Sequence, residues 1–282
     1  MPLVTLSSVL KKAQKERYAV PSFNFSGIED LRGILDAAQE VKSPVIVMTS
    51  VNIGRYWGMK GVAAYVRAMA ADMDVPVVLH QDHTKDVETL KQCVDLGYTS
   101  VMIDASERPF EENVELSNRV AEYAHAFGVS VEAELGHISG AEEGAGDSDE
   151  MLTRPQDAQR FMELVEADAL AVAVGTAHGF YTKPPKLDFD RLVKIGELTK
   201  VPLVLHGGSG VAEPDFVHSI ECGITKINVG TELRYEIMQN LKKNFAADPD
   251  EVDIRKLVSS GRGVITEVAK HKMELFGSSG KA

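Results

Sequence analysis

Five apolar runs in this chain turn polar within one or two residues, and each delivers a group able to bind a metal or move a proton. They are Val77-Val78-Leu79-His80-Gln81-Asp82-His83, Val101-Met102-Ile103-Asp104, Val131-Glu132-Ala133-Glu134, Val172-Ala173-Val174-Gly175-Thr176-Ala177-His178 and Leu203-Val204-Leu205-His206. Continuous Val/Ile/Leu runs are the signature of strands buried on both faces, and charged groups do not stay inside without partners. Three of the ends carry His83, His178 and His206. A catalytic zinc takes three protein ligands and keeps one position open, and neutral imidazole suits it. Taken singly, each histidine reads as a hydrogen-bonded structural group; three at strand ends favour a metal. Asp104 and Glu134 can bind metal, orient a ligand histidine or neutralise a buried cation. Glu132 reads as a partner for an inward Lys226. His80 shares strand parity with Asp82 and reads as a supporting group behind the metal.

A second set of residues suits an anion. His206-Gly207-Gly208-Ser209-Gly210 and Asn228-Val229-Gly230-Thr231 follow two successive strands. Glycine lets backbone N–H groups approach a phosphate, and a helix N-terminus adds favourable potential. A third set is the long stretch Gly140-Ala141-Glu142-Glu143-Gly144-Ala145-Gly146-Asp147. Glycines flanking two carboxylates suit either a lid carrying a base or a solvated acidic turn.

The elements that must position these groups follow from periodicity. Strands are expected over 18–24, 44–50, 76–83, 100–105, 130–135, 169–178, 202–206 and 225–229. Helices are expected over 7–15, 28–38, 61–73, 86–93, 109–127, 155–165, 188–198, 214–220 and 231–245. Eight strand–helix repeats match a (β/α)8 TIM barrel in number and length, with the tail from Asp248 forming one additional C-terminal helix. Residues 1–282 then make one domain, and the polar ends gather around one mouth.

Bulk properties agree. The 282 residues carry a net charge of −12, which argues against nucleic acid or an anionic membrane as partner. No apolar run reaches the length of a membrane span, and Met1-Pro2-Leu3-Val4-Thr5 does not read as a signal peptide. Cys93 and Cys222 carry no metal or redox spacing. A cytoplasmic location is expected.

Beyond what spacing alone gives, the chain resembles the class II, zinc-dependent ketose-bisphosphate aldolases of the fructose- and tagatose-bisphosphate type. The resemblance runs through Val20-Pro21-Ser22-Phe23-Asn24, Gln81-Asp82-His83, Ser100 to Ser106, Val131 to Gly136, Gly175-Thr176-Ala177-His178-Gly179, Leu205 to Gly210 and Lys226-Ile227-Asn228-Val229. It implies that His83, His178 and His206 hold catalytic Zn2+, and that Glu134 with Asp104 match the position of a second or displaced divalent ion. It implies that Asp82 exchanges a proton with the C4 hydroxyl and that Glu142 moves the proton at the triose carbon. Gly179, Gly207, Ser209, Asn228 and Thr231 match residues holding dihydroxyacetone phosphate, with Gly208 and Gly230 in the same loops and Asn24 and Ser50 nearby. Carbonyls around Gly179 and Ser209 are expected to hold a monovalent cation, Na+ or K+. Arg255 falls where relatives have an Asp-Pro-Arg that reaches the distal phosphate in a neighbouring subunit; here the run is Asp253-Ile254-Arg255.

The implied substrate is a phosphorylated sugar, with fructose 1,6-bisphosphate favoured, and the implied assembly is a homodimer or homotetramer. Cleaving a C3–C4 bond beside a ketone creates negative charge that a Lewis acid stabilises. The rivals are tagatose 1,6-bisphosphate or another ketose 1-phosphate as substrate, a Schiff-base aldolase using Lys226, a barrel zinc hydrolase, and a non-catalytic sugar-phosphate sensor. The run Ser50 to Gly58 differs from the Ser-Glu-Gly-Ala type common in relatives, which makes a changed aldehyde partner an open alternative.

Overall fold

The computed structural model describes residues 3–138, 151–181 and 183–282. Eight parallel strands close into a barrel in sequence order, with β1 (Val20–Asn24) paired to β8 (Ile224–Val229). Between them run β2 (Val45–Ser50), β3 (Val77–Thr84), β4 (Ser100–Ile103), β5 (Ser130–Leu135), β6 (Ala169–Val172) and β7 (Leu203–Leu205). The helices are α1 (Leu6–Glu16), α2 (Ile28–Val41), α3 (Val51–Trp57), α4 (Met59–Ala71), α5 (Val87–Asp95), α6 (Phe110–Ala126), α7 (Pro155–Leu164), α8 (Phe189–Thr199), α9 (Glu213–Glu221), α10 (Thr231–Ala247) and α11 (Ile254–Leu275). The expected (β/α)8 architecture is therefore present.

Local chemistry starts the helices where the sequence supplies it. Thr5, Asp86 and Asp188 each accept a hydrogen bond from a backbone N–H in the first turn of α1, α5 and α8, satisfying donors that a helix start leaves free. Pro155 opens α7, where a missing N–H costs nothing.

Two expectations are corrected. The sixth strand ends at Val172 rather than His178. Ala173 and Val174 remain buried, but Gly175 takes φ 106° and turns the chain out of the ladder. The stretch after β2, expected as a changed loop before a helix at Gly61, is itself the helix α3, with Ser50 at its N-cap.

The barrel interior changes character along its axis. Inward residues near the N-terminal end, Val20, Ile46, Val78, Met102, Ala169, Ala171 and Val204, form one apolar cluster with Leu6, Val9, Leu10, Ala13 and Tyr18. Helix α1 thus plugs the bottom. The interior also holds buried polar groups: Ser22, His80, Ser100, Glu132 and Lys226. The acids and histidines that line the mouth, Asp82, His83, Glu134 and His178, lie at or beyond the C-terminal ends of their strands, the face where such barrels carry their sites. Outward strand residues pack on the helices in a second, larger cluster.

Helix α11 is the additional C-terminal helix, and it packs across α2. A Cβ at Gly33 would lie 2.6 Å from the Arg262 carbonyl oxygen and 2.9 Å from Ile265 Cβ, so only glycine allows this approach. Arg262 pairs with Asp36 through both guanidinium arms, Nη2 lying 2.8 Å from Oδ1. Gly33→Val should therefore force the two helices apart and cost about 1–3 kcal/mol, as overpacking does. A melting temperature lowered by several degrees is expected; an unchanged melt would show that this contact carries no stability.

Candidate active site

The geometry of the mouth begins with an irregularity in β3. Its pairing with β4 runs Gln81 to Val101 and then Thr84 to Ile103, so one extra residue is accommodated between them. His83 takes up the difference with φ 40°, a left-handed conformation unusual for a side chain other than glycine. Strict alternation would send Asp82 and His83 to opposite faces. The bulge lets both line the same cavity.

Three imidazoles meet there. Ligand atoms of His83, His178 and His206 all lie within 4.8 Å of one another. His206 follows β7 directly, while His178 is carried by the loop beyond β6 rather than by a strand end as expected. His83 Nδ1 lies 2.9 Å from Asp104 Oδ2, leaving Nε2 to face His206 Nδ1 at 2.8 Å. His206 Nε2 lies 2.8 Å from Glu132 Oε1. His83 and His206 each have one nitrogen fixed by a carboxylate and the other turned to the shared centre, the arrangement in which metal-binding histidines are held. The residues therefore fit a metal ion. His83, Asp104 and Glu134 form a second group of the same compactness, and Glu134 Oε2 is buried without a hydrogen-bond partner.

Electrostatics agree with a site built for a cation. Burial pushes His178 down to about 4, with the charge on His83 adding to the effect. Burial also holds His206 well below the ordinary range. Burial disfavours the charged form of His83, but Asp82, Asp104 and Glu134 outweigh it and raise that ring to about 10. Glu134 rises to about 8, through burial first and then the neighbouring Asp104. For Asp82 burial is outweighed, with the charge of His83 the first of the opposing influences, and the carboxyl stays well below the usual range.

Asp82 is held from two sides. Asn24 Nδ2 donates to Oδ2 at 3.0 Å and Asn228 Nδ2 to Oδ1 at 3.3 Å. These amides come from β1 and β8, whose register sets Ser22 beside Asn228. Beneath lies the pair expected from the sequence: Lys226 Nζ is 2.8 Å from Glu132 Oε2, both side chains fully buried. Lys226 is thus committed to a carboxylate and does not line the cavity, which removes the Schiff-base reading. His80 is fully buried, with Nδ1 2.7 Å from Ser100 Oγ, in the supporting position expected of it.

The cavity at this mouth has a volume of about 840 Å³ and is lined by Asn24, Ser50, Asp82, His83, Asp104, Glu134, His178, Gly179, Gly207, Gly208, Ser209, Asn228, Gly230 and Thr231. Every expected site residue but three lines it; His206 is fully buried behind it, in contact with His83. Arg255 is exposed and its guanidinium pairs with Asp253 at 2.7 Å, away from its own chain's cavity. Glu142 lies outside the described residues.

The barrel also brings in groups the sequence reading missed. Lys85, Glu107, Phe180 and Arg234 line the same cavity. The Tyr181 hydroxyl accepts from Ala177 N–H at 2.8 Å and donates to the Gly207 carbonyl at 2.7 Å, tying the two loops together. Gly207 itself has φ 68°, and a Cβ there would lie 2.3 Å from the Ala177 carbonyl oxygen. The aromatic pair Phe180-Tyr181 directly after Gly179 was the available signal for Tyr181.

Comparison with known proteins decides the family. The class-II fructose-bisphosphate aldolase family model matches residues 4–281. The chain belongs to that family. It is 43% identical over 285 aligned positions to the fructose-bisphosphate aldolase of Geobacillus stearothermophilus, covering 100% of this chain and 99% of that one. It is 40% identical over 308 positions to the fructose-bisphosphate aldolase of Giardia intestinalis, covering 100% and 95%. The crystal structure of the YdjI aldolase from Escherichia coli K12 superimposes with a TM-score of 0.86 at 34% identity, covering 99% of each chain. The chain is an aldolase, a carbon–carbon lyase of a metal-dependent class. Among the described residues no helix is long and apolar enough to cross a membrane.

Because Asp104 fixes His83, its removal should loosen the group of three histidines that could hold a metal ion. Asp104→Ala is expected to weaken zinc binding by about 10–100-fold, read by competition with a chromogenic chelator. Unchanged affinity would show that another group orients His83.

Proposed function

We propose that this aldolase reversibly cleaves fructose 1,6-bisphosphate to dihydroxyacetone phosphate and glyceraldehyde 3-phosphate, with the whole chain acting as one catalytic domain. The observation that carries the reading is Asp82, an ionised carboxylate clamped by Asn24 and Asn228 beside three convergent histidines. His83, His178 and His206 would hold the catalytic Zn2+. When bound, the metal supplies Lewis-acid stabilisation of the negative charge that develops at the ketose carbonyl during cleavage.

The chain's own groups handle the protons. Asp82 takes the proton of the C4 hydroxyl as the C3–C4 bond breaks, so that C4 becomes the aldehyde carbon of the triose phosphate. The bonding electron pair stays with C3. Glu142, assigned from its place in the family's sequence pattern, delivers a proton to C3 and completes dihydroxyacetone phosphate. Condensation runs the same transfers backwards. The two amides on Asp82 fix the carboxylate oxygens, so its orientation is set before substrate arrives.

Gly179, Gly207, Gly208, Ser209, Asn228, Gly230 and Thr231 are assigned to the phosphate of the dihydroxyacetone half, and Asn24 and Ser50 to the remainder of the sugar. Carbonyls near Gly179 and Ser209 are assigned a monovalent cation, Na+ or K+. The group of His83, Asp104 and Glu134 supports a second or displaced divalent position. The protein is proposed to work as a cytoplasmic homodimer or homotetramer. Exposed Tyr235, Met238 and Phe245 on α10 and Ile254 at the start of α11 are apolar surface that such an assembly would cover. In it Arg255 is assigned to the distal phosphate of the neighbouring subunit's substrate.

Asp82→Ala should lower turnover by at least about 100-fold while zinc binding persists; intact turnover would sink the mechanism. Chelation should abolish activity and zinc restore it, with no inactivation by borohydride in the presence of substrate. A panel of phosphorylated ketoses assayed with zinc tests the substrate. Faster cleavage of tagatose 1,6-bisphosphate, or of a ketose carrying only the 1-phosphate, would replace fructose 1,6-bisphosphate in this reading.

A further inference from the structure

We propose that Lys272, on the outermost helix α11, is a positioning residue for the anion site, holding the Glu232 carboxylate away from the N-terminus of α10. The inference rests on the assignment of the Gly207–Gly210 and Asn228–Thr231 loops to phosphate.

Glu232 is the second residue of α10, directly after Thr231, which lines the cavity. Its backbone N–H donates to Ser209 Oγ at 3.1 Å, so its main chain is part of the loop scaffold. Its side chain is a liability at this point. A carboxylate in the first turn of a helix is drawn towards the unpaired N–H groups. Folded back, it would occupy the donors and the positive potential that an incoming phosphate needs. Left free, it would still repel that phosphate.

Lys272 answers both problems. Its Nζ lies 3.0 Å from Glu232 Oε2, and the ammonium also sits 5.3 Å from the centroid of the Phe216 ring. The lysine is only 6% exposed. Lysine is rarely buried to this degree unless paired, and here its partner is the one acid in the first turn of α10. The pair draws the carboxylate towards α11 and neutralises it. A helix that packs outside the barrel thereby sets the charge at the phosphate end of the site.

The test uses the zinc-loaded full chain, with inorganic phosphate as the probe in calorimetry and steady-state cleavage kinetics beside it. Lys272→Met should weaken phosphate binding and raise KM by about tenfold, with kcat within roughly twofold. Glu232→Gln should act with the opposite sign and tighten phosphate, because Lys272 is then left unopposed. The double variant should return close to wild type, since neither charge remains. A mere staple between α10 and α11 would weaken binding in both single variants and leave the double variant no better; that outcome overturns the inference. So does equal phosphate affinity in wild type and Lys272→Met. Should Lys272→Met fail to fold, Glu232→Gln alone decides by its sign. Wild type that does not bind phosphate at all would overturn the loop assignment instead.

Discussion

Everything at the mouth of this barrel depends on a surplus of buried negative charge. Asp82, Asp104, Glu132 and Glu134 converge on three imidazoles, and Lys226 is the ammonium fixed beneath them. Carboxylates taken out of water need paired charge or they protonate. Lys226 answers for Glu132, and through Glu132 for the orientation of His206. The remaining acids answer to His83 and to whatever cation the three histidines hold. Against that surplus, burial and the charge on His83 hold His178 and His206 below the ordinary range and ready to ligate, while burial and the neighbouring Asp104 push Glu134 up to about 8. Metal binding and the acid–base behaviour of the site are one electrostatic problem, with Asp82 kept ionised at its centre.

The strand framework was legible because parallel strands buried on both faces write themselves as apolar runs, and seven of the eight ended close to where those runs turned polar. The sixth misled for a physical reason. Ala173 and Val174 continue the apolar run and stay buried, yet their backbones bond to Thr153 and Asp188 rather than to a neighbouring strand, and Gly175 redirects the chain. Hydrophobicity reports burial, and only the hydrogen-bond ladder reports a strand. Helix α3 was hidden in the opposite way: Val51 to Trp57 shows no apolar period, because the helix lies at the rim with only Gly54 buried.

The site was legible in its residues but not in its geometry. Parity separates Asp82 from His83, and nothing in their identities announces the bulge and the positive φ that bring them back together. The pairing of Lys226 with Glu132 could be read from parity, since both lie inward on β8 and β5. Phe180, Lys85 and Arg234 could not, because each reaches the cavity from a loop or helix end whose course is set by closure of the barrel. Glu142 and Arg255 owe their place to resemblance alone; Arg255 is bound to Asp253 at the surface of its own chain.

The C-terminal helix is more than a cover. It packs against α2 through Gly33, Asp36 and Arg262, and against α10 near the phosphate loops. Helix α1 closes the opposite end with apolar side chains, so the two terminal segments divide the work: one seals the barrel floor, the other braces its rim. This matters for a protein with net charge −12 that takes an anionic substrate. Long-range potential opposes binding, so affinity has to come from short-range sources: the metal, the N–H groups of the glycine loops, and a helix start kept clear of its own acids. Each is a local arrangement that a one-residue shift of the rim would spoil. An outer helix anchored at both α2 and α10 is a direct way to prevent that shift.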